Sequence, residues 1–161
     1  MLRRILFLIA FLSAGMGPAL AAPRSPVGAW VTASGGAVVQ IEQCGNALCG
    51  HVSGIVLNPG TPMPVDWQGQ PECGLQLLRP SSAGQDGSWH GRIVDPRNGS
   101  AYHVEFHVDR QGRLHLRGYL GLPIFGETQI WHRYEGAAPT SCRLTPGQVA
   151  EAGLPDDKRL R

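Results

Sequence analysis

Apolar and polar residues alternate in short runs along most of this chain, and turn-forming residues separate the runs. The clearest run is Ala101 to Val108. Tyr102, Val104, Phe106 and Val108 fall on one side of it; His103, Glu105, His107 and then Asp109 fall on the other. A two-residue period with one apolar side predicts a strand packed on one face and wetted on the other. Gln111-Gly112 turns the chain, and Leu114 to Tyr119 returns, with Leu114, Leu116 and Gly118 opposite His115, Arg117 and Tyr119.

The same reading extends in both directions. Upstream it predicts strands over Ala37 to Glu42, Leu48 to Leu57, Leu75 to Leu78 and Ser88 to Val94; downstream it predicts one over Thr128 to Tyr134. Asp95-Pro96-Arg97-Asn98-Gly99 has the residues of a tight turn, and Gly121 to Gly126 forms a glycine-rich corner. Asn58 to Glu72 is irregular, with Pro59, Pro62, Pro64 and Pro71. Long helical periodicity is absent. The exception is the tail, where Thr145 can cap a short helix with Pro146 at its first position and Gly153 beyond its end. The pattern predicts an all-β fold, a small antiparallel up-and-down barrel of about eight strands with a short C-terminal helix or tail.

The N-terminus changes the picture of where the chain resides. Arg3 and Arg4 precede an uncharged, mostly apolar run from Ile5 to Ala14, and Ala19-Leu20-Ala21 has the small-x-small pattern of a cleavage site. Residues 1–21 therefore read as a cleavable signal peptide, too short in its apolar part for a permanent anchor. The expected location is the periplasm or the outside, with no membrane anchor after cleavage. The remaining chain of about 140 residues suits one domain. Without Arg3 and Arg4, the 14 Lys+Arg fall to 12 and balance the 12 Asp+Glu. A neutral chain has no long-range attraction for nucleic acid or for an anionic membrane surface.

Four cysteines, Cys44, Cys49, Cys73 and Cys142, allow three pairings, and an oxidising compartment favours disulfides over free thiols. If Gly45-Asn46-Ala47-Leu48 closes a hairpin, Cys44 and Cys49 fall opposite each other within bridging reach. Cys73 would then pair with Cys142. A zinc site is disfavoured, because no Cys-x-x-Cys spacing occurs.

Candidate chemistry is sparse. His103, Glu105 and His107 project from one strand face and His115 from the neighbouring strand, so three ligands could converge on Zn or Cu. The plainer reading, a solvated outer sheet face, is preferred, and no metal or other cofactor is expected. Asp95 beside Tyr102 reads as a turn residue rather than a general acid. No nucleophile elbow, phosphate loop or HExxH motif occurs. Trp89, Tyr102, Phe106, Phe125 and Trp131 are candidate core or pocket residues. Inward aromatics would fill a small barrel, whereas inward Gly and Ala would leave room for one ligand, and the chain supplies both.

Gly28-Ala29-Trp30 near the start and Trp131-His132-Arg133 near the end resemble the lipocalin or calycin pattern. There, a Gly-x-Trp opens the first strand and a basic residue of the last strand packs across the indole. The resemblance implies that Gly28, Trp30 and Arg133 close one end of the barrel, by a guanidinium stacked on an aromatic face. An ordered set of further motifs resembles a bacterial family of exported proteins, DUF2147. The set includes Cys44-Gly45-Asn46-Ala47-Leu48-Cys49-Gly50, Cys73-Gly74-Leu75, Trp89-His90-Gly91, Asp95-Pro96 with Gly99 and Tyr102, Leu114 to Gly121, and Phe125 to Arg133. It places a barrel domain over 26–134 and a C-terminal tail over 135–161, and carries over no catalytic residue. The chain departs from that family at Asp66-Trp67-Gln68-Gly69-Gln70-Pro71 and in the tail with Cys142.

The expected function is a binding or accessory module holding a small apolar ligand. The alternative is a filled barrel that meets an envelope partner through Met63 or Trp67 of the proline-rich loop, and the third reading is a metal-dependent protein using the histidine face.

Overall fold

Alternation along the strands curls one sheet until it meets itself. The structure, a computed structural model, describes residues 24–153, so the signal-peptide reading of residues 1–21 lies outside it. The strands are β1 Gly28–Val31, β2 Ala37–Cys44, β3 Ala47–Val56, β4 Gln76–Ala83, β5 Trp89–Val94, β6 Ala101–Val108, β7 Leu114–Tyr119 and β8 Glu127–Arg133. Each pairs antiparallel with the next, and β1 pairs with β8, which closes an eight-stranded barrel. The closing seam is short, with Trp30 opposite Arg133 and Val31 opposite His132.

The inward rows hold the core. Trp30, Ile41, Leu78, Val104, Phe106, Leu114 and Trp131 are all buried inside. Four places differ from the sequence expectation. First, β4 runs on to Ala83 instead of ending near Leu78, because a register shift between Leu78 and Ser82 absorbs Pro80, which has no N–H to donate. Second, the β2–β3 turn is tighter than expected. Cys44 faces Ala47 and Cys49 faces Glu42, so the Cys44–Cys49 disulfide is diagonal rather than between opposed residues, with Cα atoms 5.9 Å apart.

Third, the tail adds to the barrel. A ninth strand, β9 Arg143–Leu144, runs parallel to β3, with Leu144 buried over the space that a side chain on Gly54 would occupy. The Cys73–Cys142 disulfide holds this strand down across 69 residues of chain. The helix α1, Pro146–Gly153, follows with a reciprocal cap: Gln148 N–H donates to Thr145 Oγ1 at 3.4 Å and Thr145 N–H donates to Gln148 Oε1 at 2.8 Å. Leu144 and Val149 join Val31, Val38 and Tyr134 in a second, smaller core outside the barrel. Fourth, the proline-rich loop is tied down. Asp66 is buried and its Oδ1 accepts from the N–H groups of Gln68 and Gln70, and Met63, expected to be exposed, packs half-buried on the main core, whereas Trp67 lies against Gly99 and stays exposed, as expected.

Candidate functional site: the open end of the barrel

The two ends of the barrel are built differently. At one end, Arg133 holds its guanidinium 4.2 Å from the centre of the Trp30 ring and donates from Nη1 to Val27 O at 2.8 Å. Trp30 Nε1 donates to Pro26 O at 2.7 Å, so the buried indole has its partner. Gly28 has φ +133, and a Cβ there would collide with Arg133 Nη1, so both backbone conformation and space require glycine. The three residues expected to close the barrel are thus in contact.

Glu127 lies at the opposite end of β8, about 20 Å away at the rise of a strand. Towards that end, the inward rows lose bulk. On β7 they read Leu114, Leu116, Gly118; on β8 they read Trp131, Gln129, Glu127, with Leu114 opposite Trp131 and Gly118 opposite Glu127. The result is a cavity of about 400 Å³ open to solvent. Leu77, Ile93 and Leu116 supply its apolar lining; Tyr102, Gln129 and Glu127 supply polar groups. Gln129 is oriented by Trp131, whose Nε1 donates to its Oε1 at 2.9 Å. At the rim, Arg97 donates from Nε and Nη2 to the two oxygens of Asp95, at 3.0 and 2.7 Å. These bonds hold the Asp95 carboxyl below its usual range against the opposing effect of partial burial.

The five aromatic candidates therefore separate. Tyr102 lines the cavity. Phe106 and Trp131 fill the barrel beneath it, and Trp89 packs partly buried against that core. Phe125 does neither: it is 80% exposed on a single 3-10 turn, Pro123–Phe125, between β7 and β8. Its position in a proline- and glycine-bounded corner turns it out of the inward row.

The histidine face does not gather three ligands at one point. His107 and His115 stack with ring centres 5.2 Å apart, and His103 stacks on Tyr119 at 5.5 Å. Stacked rings aim their nitrogens in parallel planes rather than at a shared centre. Glu105 faces Arg117 across the strand pair. Among the described residues, no cluster of three His, Cys, Asp or Glu side chains is placed to hold a metal ion.

His115 belongs instead to a hairpin clamp. Asp109 Oδ2 accepts from Arg113 Nε at 2.7 Å and lies 2.8 Å from His115 Nε2, while its Oδ1 accepts from the N–H groups of Gln111 and Arg113. Burial raises the Asp109 carboxyl, but the bonds from Arg113 and His115 outweigh it and hold the group well below the ordinary carboxylate range. A depressed folded-state pKa contributes stability above the unfolded value and loses it as pH falls through the folded one. Asp109→Asn is thus expected to cost about 2 kcal/mol at neutral pH. In urea titrations, the gap to the unsubstituted protein should narrow below about pH 4.

One constellation escaped the sequence reading. Ser88 Oγ lies 2.8 Å from both Asp86 Oδ1 and His90 Nε2 at the β4–β5 turn. The residue types are those of a hydrolytic triad, but the order is not. The serine sits between the other two, and its single proton goes to Asp86 if it accepts from His90. Asp86, lowered to about 2 chiefly by the Ser88 hydroxyl and N–H, is a poor base. The cluster fastens the turn. Its only sequence signal was the i, i+2, i+4 spacing.

The family model described as "Uncharacterized protein conserved in bacteria (DUF2147)" matches residues 28–133. The chain belongs to DUF2147. The matched span runs from the glycine under Arg133 to Arg133 itself, so it takes in the whole barrel and leaves out β9 and α1 of this DUF2147 protein. No curated protein matches it. Among solved structures it is similar to protein HP1028 from the human pathogen Helicobacter pylori, which is described as belonging to the lipocalin family. The TM-score is 0.54 at 14% identity, over 83% of this chain and 89% of that one. At that identity the likeness is one of fold: a closed, lipocalin-like antiparallel barrel.

Proposed function

We propose that this DUF2147 protein is an exported, non-catalytic carrier that holds one small molecule in the open end of its barrel. The carrying observation is the cavity of about 400 Å³, within the size range of small-molecule sites, on a barrel whose other end is plugged. Apolar side chains at Leu77, Ile93 and Leu116 favour an apolar body, and Tyr102, Gln129 and Glu127 favour a polar group at the mouth. The lipocalin-like fold supports the reading, and two disulfides with no free cysteine support a location outside the cytoplasm.

Gly118 supplies the cleanest test. A Cβ built there meets nothing within 4 Å, and the backbone is ordinary strand, so a side chain enters the cavity without strain. Gly118→Leu is expected to change stability by no more than about 1 kcal/mol. It should weaken binding of an apolar ligand by at least about tenfold. Native mass spectrometry of the protein purified from its own cell envelope identifies the natural ligand, as a mass lost on denaturation. An apolar probe that binds Gly118→Leu as tightly as the unsubstituted protein would remove the cavity from the account.

A further inference from the structure

The β7–β8 connection next to the cavity mouth is unusual for a soluble surface. Every residue from Leu120 to Phe125 is exposed. Four of them are large and apolar: Leu120 at 64%, Leu122 at 63%, Ile124 at 77% and Phe125 at 80%. Isolated exposed apolar residues are ordinary, but a contiguous group marks a contact surface. The segment is also held in shape. Arg117 donates from Nε to Pro123 O at 2.8 Å, from Nη2 to Ile124 O at 3.3 Å and from Nη1 to Thr128 Oγ1 at 2.8 Å. The apolar side chains are thus presented on a fixed tip.

We infer that this tip docks the protein peripherally on a lipid bilayer bearing anionic headgroups. Two features select that occupant. A stable protein interface takes about 20–30 residues a side with matching relief, and a six-residue protrusion offers far less. A bilayer is fluid, conforms to a convex tip and needs no matching groove. The second feature is charge. It acts at contact range, because the mature chain as a whole is neutral: the guanidinium of Arg117, directly behind the tip, bonds only to neutral oxygens and among the described residues makes no ion pair, although Glu105 lies across the strand pair and the exposed Glu127 lies two residues beyond Phe125. Arg92, on the same outer face, likewise donates to a carbonyl, Ala101 O. Inserted apolar side chains with cations at headgroup depth are the combination that binds anionic membrane surfaces. Tyr119, at the foot of the tip, has the amphipathic ring suited to that depth. The inference does not depend on the cavity being occupied. If both hold, the mouth opens beside the membrane, and an apolar ligand can pass between barrel and bilayer without crossing much water.

The test is flotation of the mature protein with vesicles of phosphatidylethanolamine and phosphatidylglycerol, with Ile124→Asp/Phe125→Asp alongside. Neither residue lines the cavity, and both are exposed, so the variant should keep its melting temperature and its affinity for a fluorescent apolar probe. Its partition onto vesicles is expected to fall at least about tenfold. Failure of the unsubstituted protein to float with the vesicles overturns the inference, as does undiminished flotation of the variant. A concentration-dependent dimer that the variant abolishes would also overturn it, by making a second copy of this chain the occupant. Retained probe binding with lost flotation separates the tip from the cavity.

Discussion

Replacing Trp30 with alanine is expected to cost about 4 kcal/mol, the largest single-residue effect in this protein. Trp30 is fully buried, and three things depend on it. Its ring fills the closed end of the barrel, its Nε1 donor satisfies Pro26 O, and its face carries the Arg133 guanidinium. It also lies on the two-pair seam between β1 and β8, so the cavity left behind would open where the barrel has least strand pairing. A domain has only about 5–15 kcal/mol in total, so Trp30→Ala should be partly unfolded at physiological temperature. Urea titration followed by far-UV circular dichroism measures this. Arg133→Leu should cost less, about 1–2 kcal/mol, because the leucine still covers part of the indole while the stacking and the bond to Val27 O are lost. Equal losses from the two substitutions would mean that the guanidinium, rather than the buried indole, is the main closure.

The second large effect is the loss of the Cys73–Cys142 bridge. In the chain-entropy description a disulfide stabilises by restricting the unfolded chain, and the effect grows with the loop it closes. A separation of 69 residues corresponds to about 4 kcal/mol, against about 2 kcal/mol for the five-residue separation of Cys44 and Cys49. Cys73→Ser/Cys142→Ser should also release β9 and uncover Leu144 and Val149, which are buried in the outer core. Thermal unfolding of the two paired-serine variants is expected to rank them in that order. Proteolysis should cut the tail of the first variant while its barrel persists. A larger loss from the Cys44–Cys49 variant would contradict the ranking.

The strands that face two different environments were the most legible in the sequence. β6 is the plainest case, since its inward Val104 and Phe106 and outward His103 and Glu105 differ at every step. The disulfide partners were legible from the hairpin around Cys44 and Cys49, although the bridge is diagonal. β4 was legible only in part, because Arg79-Pro80-Ser81-Ser82 breaks the apolar pattern and a register shift is not written in local sequence. β9 was not legible at all. Two residues carry no period, and Arg143-Leu144 is a strand only because the distant β3 receives it and the adjacent Cys142 is bonded to Cys73, 69 residues back. Phe125 failed for a different reason: hydrophobicity was read as burial, yet the proline and glycines around it build an outward corner. The cavity was hidden too. Its space depends on Gly118 lying opposite Glu127, one step beyond the Leu116–Gln129 pair, which only the register reveals.

Whether the open end of the barrel is a ligand site is decided by titrating N-phenyl-1-naphthylamine into the mature protein and into Gly118→Leu under the same conditions. A saturable fluorescence rise with one site per chain is expected for the unsubstituted protein, and loss of that rise in Gly118→Leu at an unchanged melting temperature. No saturable rise in the unsubstituted protein, or the same rise in both proteins, would contradict it.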